Sequence, residues 1–91
     1  VMNNMLRILV ANKPYFPMPD DGNPQTYEIK IKVGSTTYER NYRYNRNESG
    51  RLYLEEDLYR DILEIESGDI LVVVILEENR LYQIINLSTL K

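Results

Sequence analysis

The stretch from Ser49 to Leu87 constrains the fold most, because it combines one helical repeat with a tight turn and an aliphatic run. Apolar residues recur there at the three- and four-residue spacing of one helix face: Leu54, Leu58, Tyr59, Ile62 and Ile65. Ser67-Gly68-Asp69 then suits a sharp reversal into the run Ile70 to Leu76. We therefore expect a helix beginning at Glu55 that packs on a strand over 70–76, and the aliphatic composition predicts a central position for that strand.

Strand patterns dominate the rest of the chain. Tyr27 to Val33 alternates apolar and charged residues, which predicts a half-buried strand, and Gly34-Ser35 suits a two-residue turn into a partner strand from Thr36 to about Tyr44. Shorter strands are predicted over 5–11, 51–54 and 81–87. Only the helical connection is long enough for a parallel crossover, so most pairings should be antiparallel. The predicted fold class is mainly β with one principal α-helix, arranged as a small antiparallel, partly open barrel.

The four prolines mark the one long irregular segment. All of them lie between Lys13 and Pro24, and each removes a backbone donor and keeps its predecessor extended, so a loop is predicted over 13–25. Tyr15 and Phe16 are expected to hold the start of this loop against the body. The 91 residues form a single domain, 1–91, which at this size buries only about 60 to 65% of its unfolded surface. A deep enclosed pocket is therefore not expected.

Composition narrows the possible functions. The chain has no Cys and no His, which removes thiolate and imidazole metal ligands and the usual nucleophile-base pairs. Asp20-Asp21-Gly22-Asn23 lacks the alternating ligands and distal Glu of a calcium loop. No run approaches the roughly 20 apolar residues of a membrane span, and Val1 to Val10 lacks the flanks of a signal peptide. These features predict a cytoplasmic protein that is not an enzyme and has no metal or other cofactor.

Charge is distributed unevenly along the chain. The net charge is -3, but residues 26–51 carry six basic and three acidic side chains, whereas residues 52–69 carry seven acidic side chains and one arginine. The local balances are therefore +3 and -6. A field polarised in this way lets one face attract a polyanion in spite of the negative total.

The order of elements in the second half resembles a known family. Arg51-Leu52-Tyr53-Leu54, the predicted helix, Ser67-Gly68-Asp69, an aliphatic strand, a polar turn and a last strand with Tyr82-Gln83-Ile84-Ile85 together resemble B3-type DNA-binding pseudobarrels. That family includes plant transcription-factor domains and effector or target-recognition domains of bacterial restriction endonucleases. The likeness covers roughly 27–87. The same order is also similar to the swapped-hairpin domains of the AbrB and antitoxin type, which form homodimers.

The resemblance implies that DNA is held in the major groove by loops and strand ends over 36–51. The side chains in this stretch suit that role, since arginine neutralises phosphate or forks onto guanine and asparagine pairs with adenine. The candidate residues are Arg40, Arg43, Arg46 and Arg51, with Asn45 and Asn47 as base readers and Lys30 and Lys32 as further contacts. In the alternative interpretation the arginines are solvated or pair with the acidic helix, the lysines are a solvated edge, and the tyrosines of this strand face the core.

Two functions follow from these observations. The first is a non-catalytic, sequence-dependent double-stranded DNA-binding module, belonging to a restriction or regulatory system. The alternative is an acidic protein-protein interaction domain, which works through an exposed sheet edge or offers its acidic helix to a basic protein partner. Either can be a monomer or a homodimer.

Overall fold

A computed structural model describes residues 4–8 and 10–89. Its six strands are β1 (Met5–Ile8), β2 (Gln25–Val33), β3 (Thr36–Tyr44), β4 (Gly50–Tyr53), β5 (Leu71–Glu77) and β6 (Leu81–Asn86). Its helical segments are short: a 3₁₀ helix at Val10–Tyr15, a π-helical segment at Asp57–Ile62 and a 3₁₀ helix at Leu87–Thr89. The predicted strands are confirmed to within about two residues at most ends. The first is an exception, because β1 stops at Ile8, a 3₁₀ helix occupies 10–15, and Leu9 lies outside the described residues.

The strands form one mixed sheet in the order β1-β4-β3-β2-β6-β5, curved into an open half-barrel. All neighbours are antiparallel except β2 and β6, which are parallel with Ile31 opposite Tyr82. The prediction of an antiparallel barrel is therefore wrong in this detail. Pairing with β3 leaves one edge of β2 open, and β6 pairs with that edge. Ile31 and Tyr82, which lie opposite each other in this pairing, are completely buried.

The β2–β3 hairpin follows its sequence pattern closely. Val33 pairs with Thr36, and Gly34 adopts a φ of 61°, as the first position of a turn with glycine first requires. Apolar residues of β2 face the concave side of the sheet, where Ile29 and Ile31 are buried. Lys30 and Lys32 extend from the convex side.

β5 lies at an edge of the sheet rather than at its centre. It pairs with β6 on one side, and in the described part of the chain no strand pairs with its other side. The central position predicted from its aliphatic sequence is therefore wrong. Sequence composition reports that both faces of a strand are suited to burial, but it does not say which strands are available as neighbours.

The principal α-helix predicted from Glu55 is replaced by one wide turn. The Leu63 N–H donates to the carbonyl of Leu58, five residues back, at 2.9 Å, as in a π-helix. Leu63 therefore follows Leu58 into the core, whereas Ile62, which the α-helical period directs inward, is 40% exposed. Positive φ angles at Glu55 and Glu64 bound the turn on both sides. Burial of leucines in the half-barrel determines the local winding here.

An aromatic cluster fills the concave side of the half-barrel. Phe16 is buried and stacks on Tyr82 with ring centroids 4.4 Å apart and on Tyr42 at 5.0 Å. The Tyr82 hydroxyl donates to the Tyr15 carbonyl at 2.6 Å. The start of the proline segment is thus held against the body, mainly through Phe16, since the Tyr15 side chain is exposed. From 16 to 24 the chain has neither helix nor strand.

None of the helices in the described ranges is long and apolar enough to cross a membrane.

Candidate nucleic-acid interface

Three arginines form a row across three neighbouring strands. Arg7 of β1 lies directly opposite Arg51 of β4, and Arg51 lies directly opposite Arg43 of β3. Directly paired residues point to the same face of a sheet and lie about 5 Å apart. The backbone positions of the three arginines therefore span about 10 Å across the strands. Leu52 and Tyr42, the chain neighbours of Arg51 and Arg43, are buried in the concave core. The arginine row (Arg7, Arg51 and Arg43) therefore lies on the convex face.

In the part of the chain that the structure describes, the arginine row forms no ion pair with an acidic side chain. Within residues 4–8 and 10–89, no ion pair of 4.0 Å or less involves any of its three members. Among residues 4–8 and 10–89 the row forms one side-chain hydrogen bond, and it is weak: Arg43 Nη1 donates to Thr26 Oγ1 at 3.3 Å. Like charges placed directly opposite each other across strands destabilise a sheet. Among the described residues the row therefore holds positive charge without a direct carboxylate contact, although Glu48 lines the adjoining groove, and a bound anion would reduce the repulsion within the row.

A loop over 45–49 borders the arginine row, because it connects β3 to β4. Asn45 donates from its side-chain Nδ2 to the Ser49 carbonyl at 3.3 Å, and Asn47 has a φ of 62°, so the loop is a compact turn. Arg46 and Asn47 are exposed. A shallow groove of about 360 Å³ between this loop and the row is lined by Asn47, Glu48, Ser49, Arg7 and Arg51. Asn47, one of the two candidate base readers, thus shares one surface depression with two arginines of the row and with Glu48.

Lys13 supports this loop from below. It is only 5% exposed, and its ammonium donates to the carbonyls of Asn45 and Glu48 at 2.5 and 2.7 Å. The same nitrogen lies 4.5 Å from the centre of the Tyr44 ring, a cation–π contact. A buried ammonium needs such partners, because desolvation of a charge is costly. Lys13 therefore fixes the loop and places a positive charge beneath it.

Arg40 is oriented away from the arginine row. It shares the parity of Tyr42, and its side chain is only 12% exposed. Its guanidinium donates two hydrogen bonds to the Asp57 carboxylate, at 2.8 and 2.9 Å, and one to the Leu54 carbonyl at 2.8 Å. The Leu58 backbone N–H, and then Arg40, hold the pKa of Asp57 below its usual value. Arg40 thus joins β3 to the start of the acidic segment, residues 52–69.

Lys30 and Lys32 lie on the convex face but at a distance from the arginine row. Lys30 is four residues along β2 from Thr26, which pairs with Arg43, a separation of about 13 Å at the usual strand rise. Glu39 lies directly opposite Lys30, so the local charge there is balanced. The structure therefore brings Arg43 and Arg51 together beside a loop with Asn45, Arg46 and Asn47, and leaves Arg40, Lys30 and Lys32 elsewhere.

Two residues of this candidate interface, Arg7 and Lys13, were not predicted from the sequence. Arg7 is the exposed member of β1, and only the β1–β4 register places it beside Arg51. Lys13 lies in the proline segment, 32 residues before Asn45 in the chain. The alternation in Met5–Ile8 signals an outward arginine, but nothing local signals a buried lysine.

Comparison with protein families, curated proteins and solved structures found no match to this chain. In the described residues, no three acidic side chains come together as metal ligands would.

Proposed function

We propose that the protein is a non-catalytic module that binds double-stranded DNA through its convex face. The observation that carries this proposal is the arginine row, which aligns three cations across β1, β4 and β3 without a carboxylate partner among the described residues. Phosphate oxygens would supply the missing negative charge, and release of the DNA counterions would supply most of the affinity.

The loop over 45–49 supplies the chemistry for sequence preference. Asn47 and Arg46 are exposed next to the row, and asparagine and arginine are suited to adenine and guanine edges in the major groove. Asn45 contributes less directly, since its amide already donates within the loop. Such a division, with arginines on phosphates and a loop on bases, is the general pattern of protein–DNA recognition. It suits a recognition module of a restriction or regulatory system.

Titration with duplex DNA tests the proposal. We expect mixed-sequence duplex to shift amide resonances of β1, β3, β4 and the 45–49 loop at about 50 mM salt, and the affinity to fall by orders of magnitude near 200 mM. Absence of shifts at both salt concentrations, or shifts confined to β5 and β6, would contradict the proposal.

Matched arginine variants sharpen this test. Arg51→Gln removes the central charge of the row, whereas Arg60→Gln removes the same charge from the acidic segment, where Arg60 pairs with Glu56 at 2.9 Å. We expect Arg51→Gln to lower the slope of log affinity against log salt by about one unit and Arg60→Gln to leave it nearly unchanged. Equal effects of the two variants would show that only net charge matters. Because Arg51→Gln also relieves like-charge repulsion, its fold should be retained.

A protein-interaction domain is the second candidate function. It is favoured by the outer edge of β5, with which no strand of the described residues pairs and which carries exposed apolar side chains. An interaction of the acidic segment with a basic protein partner has less support, because Arg40 and Arg60 already pair with Asp57, Glu56 and Asp61. Light scattering distinguishes a monomer from a homodimer for either function.

A further inference from the structure

The convex face carries a second row of side chains beside the arginine row. Tyr53 of β4 lies directly opposite Met5 of β1 on one side and Asn41 of β3 on the other. Each member of this uncharged row (Met5, Tyr53 and Asn41) is two residues along its strand from a member of the arginine row, so it points to the same face. The two rows therefore run side by side across the same three strands, about 7 Å apart.

Tyr53 is the aromatic member of the uncharged row, and its position differs from that of the other half-buried tyrosines. Those residues pack against the buried core cluster: Tyr27, Tyr38, Tyr44 and Tyr59. Tyr53 is half-buried but is not among the described residues that pack there. Asn41 beside it is exposed, and its side-chain amide can both donate and accept hydrogen bonds. The convex face thus offers a ring for stacking next to an amide for hydrogen bonding.

The charges on the convex face orient a nucleotide that lies across both rows. Glu28 of β2 lies opposite Asn41 and extends the uncharged row, whereas Thr26 lies opposite Arg43 and extends the arginine row. An acid at the end of the uncharged row disfavours a phosphate there, while the arginine row attracts one. A nucleotide would therefore bind with its phosphate on the arginines and its base over Tyr53.

Stacking on an aromatic side chain requires a base with an open face. In an intact duplex the neighbouring bases cover both faces of each base, and moving a base out of the stack costs free energy. This cost is smallest for a base that is already unpaired. A fully paired duplex can therefore use the arginine row alone, whereas DNA with an unpaired nucleotide can use both rows.

We propose that Tyr53 is a stacking site for an unpaired base, which makes the module prefer duplex DNA that carries an unpaired nucleotide. This inference rests on the proposed DNA-binding function and adds to it the kind of DNA that binds best. The phosphate of the unpaired nucleotide lies on Arg51, its base lies on the ring of Tyr53, and the amide of Asn41 forms a hydrogen bond with the edge of the base.

Three duplexes of one sequence test this site: a fully paired one, one with a single bulged thymidine and one with a bulged abasic nucleotide. The abasic bulge keeps the phosphate and the flexibility but has no base to stack. We expect the thymidine bulge to bind about fivefold or more tightly than the abasic bulge and to shift the ring resonances of Tyr53. Equal affinities for the two bulges would overturn the stacking site and leave duplex binding intact. Absence of binding by all three would overturn the DNA-binding function, and the stacking site with it.

Matched variants assign the preference to one ring. Tyr53→Phe keeps the ring and should keep the preference, whereas Tyr53→Leu should bring the affinity ratio of the two bulges to about one. Arg51→Gln should weaken binding of all three duplexes alike. The control Tyr15→Leu removes a ring that is 48% exposed and lies outside both rows, and it should leave the ratio unchanged. A ratio that persists in Tyr53→Leu, or is lost equally in Tyr15→Leu, would overturn the assignment. Partial unfolding cannot imitate the expected result, because it lowers the affinity for both bulges equally.

Discussion

Tyr42 and Tyr82 are both completely buried, but their hydroxyls have opposite environments. The Tyr82 hydroxyl donates to the Tyr15 carbonyl at 2.6 Å, whereas the Tyr42 hydroxyl has no hydrogen-bond partner among the described residues. A buried polar group without a partner costs free energy, while a satisfied one contributes modestly to stability. Gly50 makes this burial possible, since a Cβ there would lie 2.7 Å from two carbons of the Tyr42 ring.

Substitution of each tyrosine by phenylalanine should change stability in opposite directions. Tyr42→Phe removes an unpaired hydroxyl and is expected to raise the free energy of unfolding by about 1 kcal/mol. Tyr82→Phe removes a formed hydrogen bond and should lower it by about 1 kcal/mol. Urea denaturation of both variants measures the difference. A loss of stability in Tyr42→Phe equal to that in Tyr82→Phe would mean that the Tyr42 hydroxyl is satisfied.

Both tyrosines should also make the fold sensitive to alkali. Burial raises the pKa of Tyr42 and of Tyr82 from 10.0 to about 12. Between these pH values the unfolded chain has lost protons that the folded chain retains, so the free energy of unfolding falls as pH rises. We expect full stability below pH 10 and a progressive loss up to about pH 12. Denaturant unfolding across this pH range, with tyrosinate absorbance recorded in parallel, measures the effect. A free energy of unfolding that stayed constant from pH 10 to 12 would contradict the raised pKa values of the two tyrosines.

At the scale of elements, the π-helical segment shows how packing overrides periodicity. Leu58 and Leu63 are separated by five residues and are both buried, which an α-helix would not allow on one face. The hydrogen bond from Leu63 to Leu58 accommodates the extra residue in the turn. The consequence is a reversal of the expected burial of two adjacent residues, Ile62 and Leu63.

Alanine substitutions of these two neighbours distinguish the wide turn from an α-helix. Leu63→Ala should lower the free energy of unfolding by about 2 to 5 kcal/mol, as large-to-small changes in a core do. Ile62→Ala should cost about 0.5 kcal/mol or less, because the side chain is largely solvated. Denaturation curves of the two variants provide the comparison, and the reverse order of effects would support the α-helical arrangement.

At the scale of the whole molecule, one lysine joins segments that are far apart in sequence. Lys13 connects the proline segment, which begins on the concave side of the half-barrel, to the 45–49 loop at the edge of the proposed DNA interface. Four residues before Tyr44 on β3, Arg40 holds the start of the acidic segment through Asp57. These two contacts keep the loop next to the arginine row and anchor the start of the acidic segment.

Replacing Lys13 should loosen the loop without removing the arginine row. Lys13→Met keeps the buried stem but loses both hydrogen bonds to loop carbonyls, and we expect it to lower the free energy of unfolding by about 1 to 3 kcal/mol. Amide exchange should become faster over 45–49. The control Lys30→Met removes the same charge from an exposed position and should change neither quantity appreciably. Unchanged loop exchange in Lys13→Met would refute the supporting role of this lysine.

Sequence patterns alone determined the strands and the hairpin. Alternation in Tyr27–Val33 and the glycine at 34 specify β2, its turn and β3, because these signals depend only on side-chain direction and on local backbone freedom. The grouping of basic residues over 26–51 likewise indicated the region that contains most of the proposed DNA interface, although it could not separate Arg43 and Arg51 from Arg40.

Tertiary structure alone decided the neighbours of each element. Pairing of β6 with β2 places β5 at an edge, and the registers of β1 with β4 and of β4 with β3 bring Arg7, Arg51 and Arg43 into one row. Burial of Leu63 selects the wide turn over an α-helix. These outcomes depend on contacts between residues distant in the chain, and the free energy of such burial exceeds the local preferences that a sequence pattern reports.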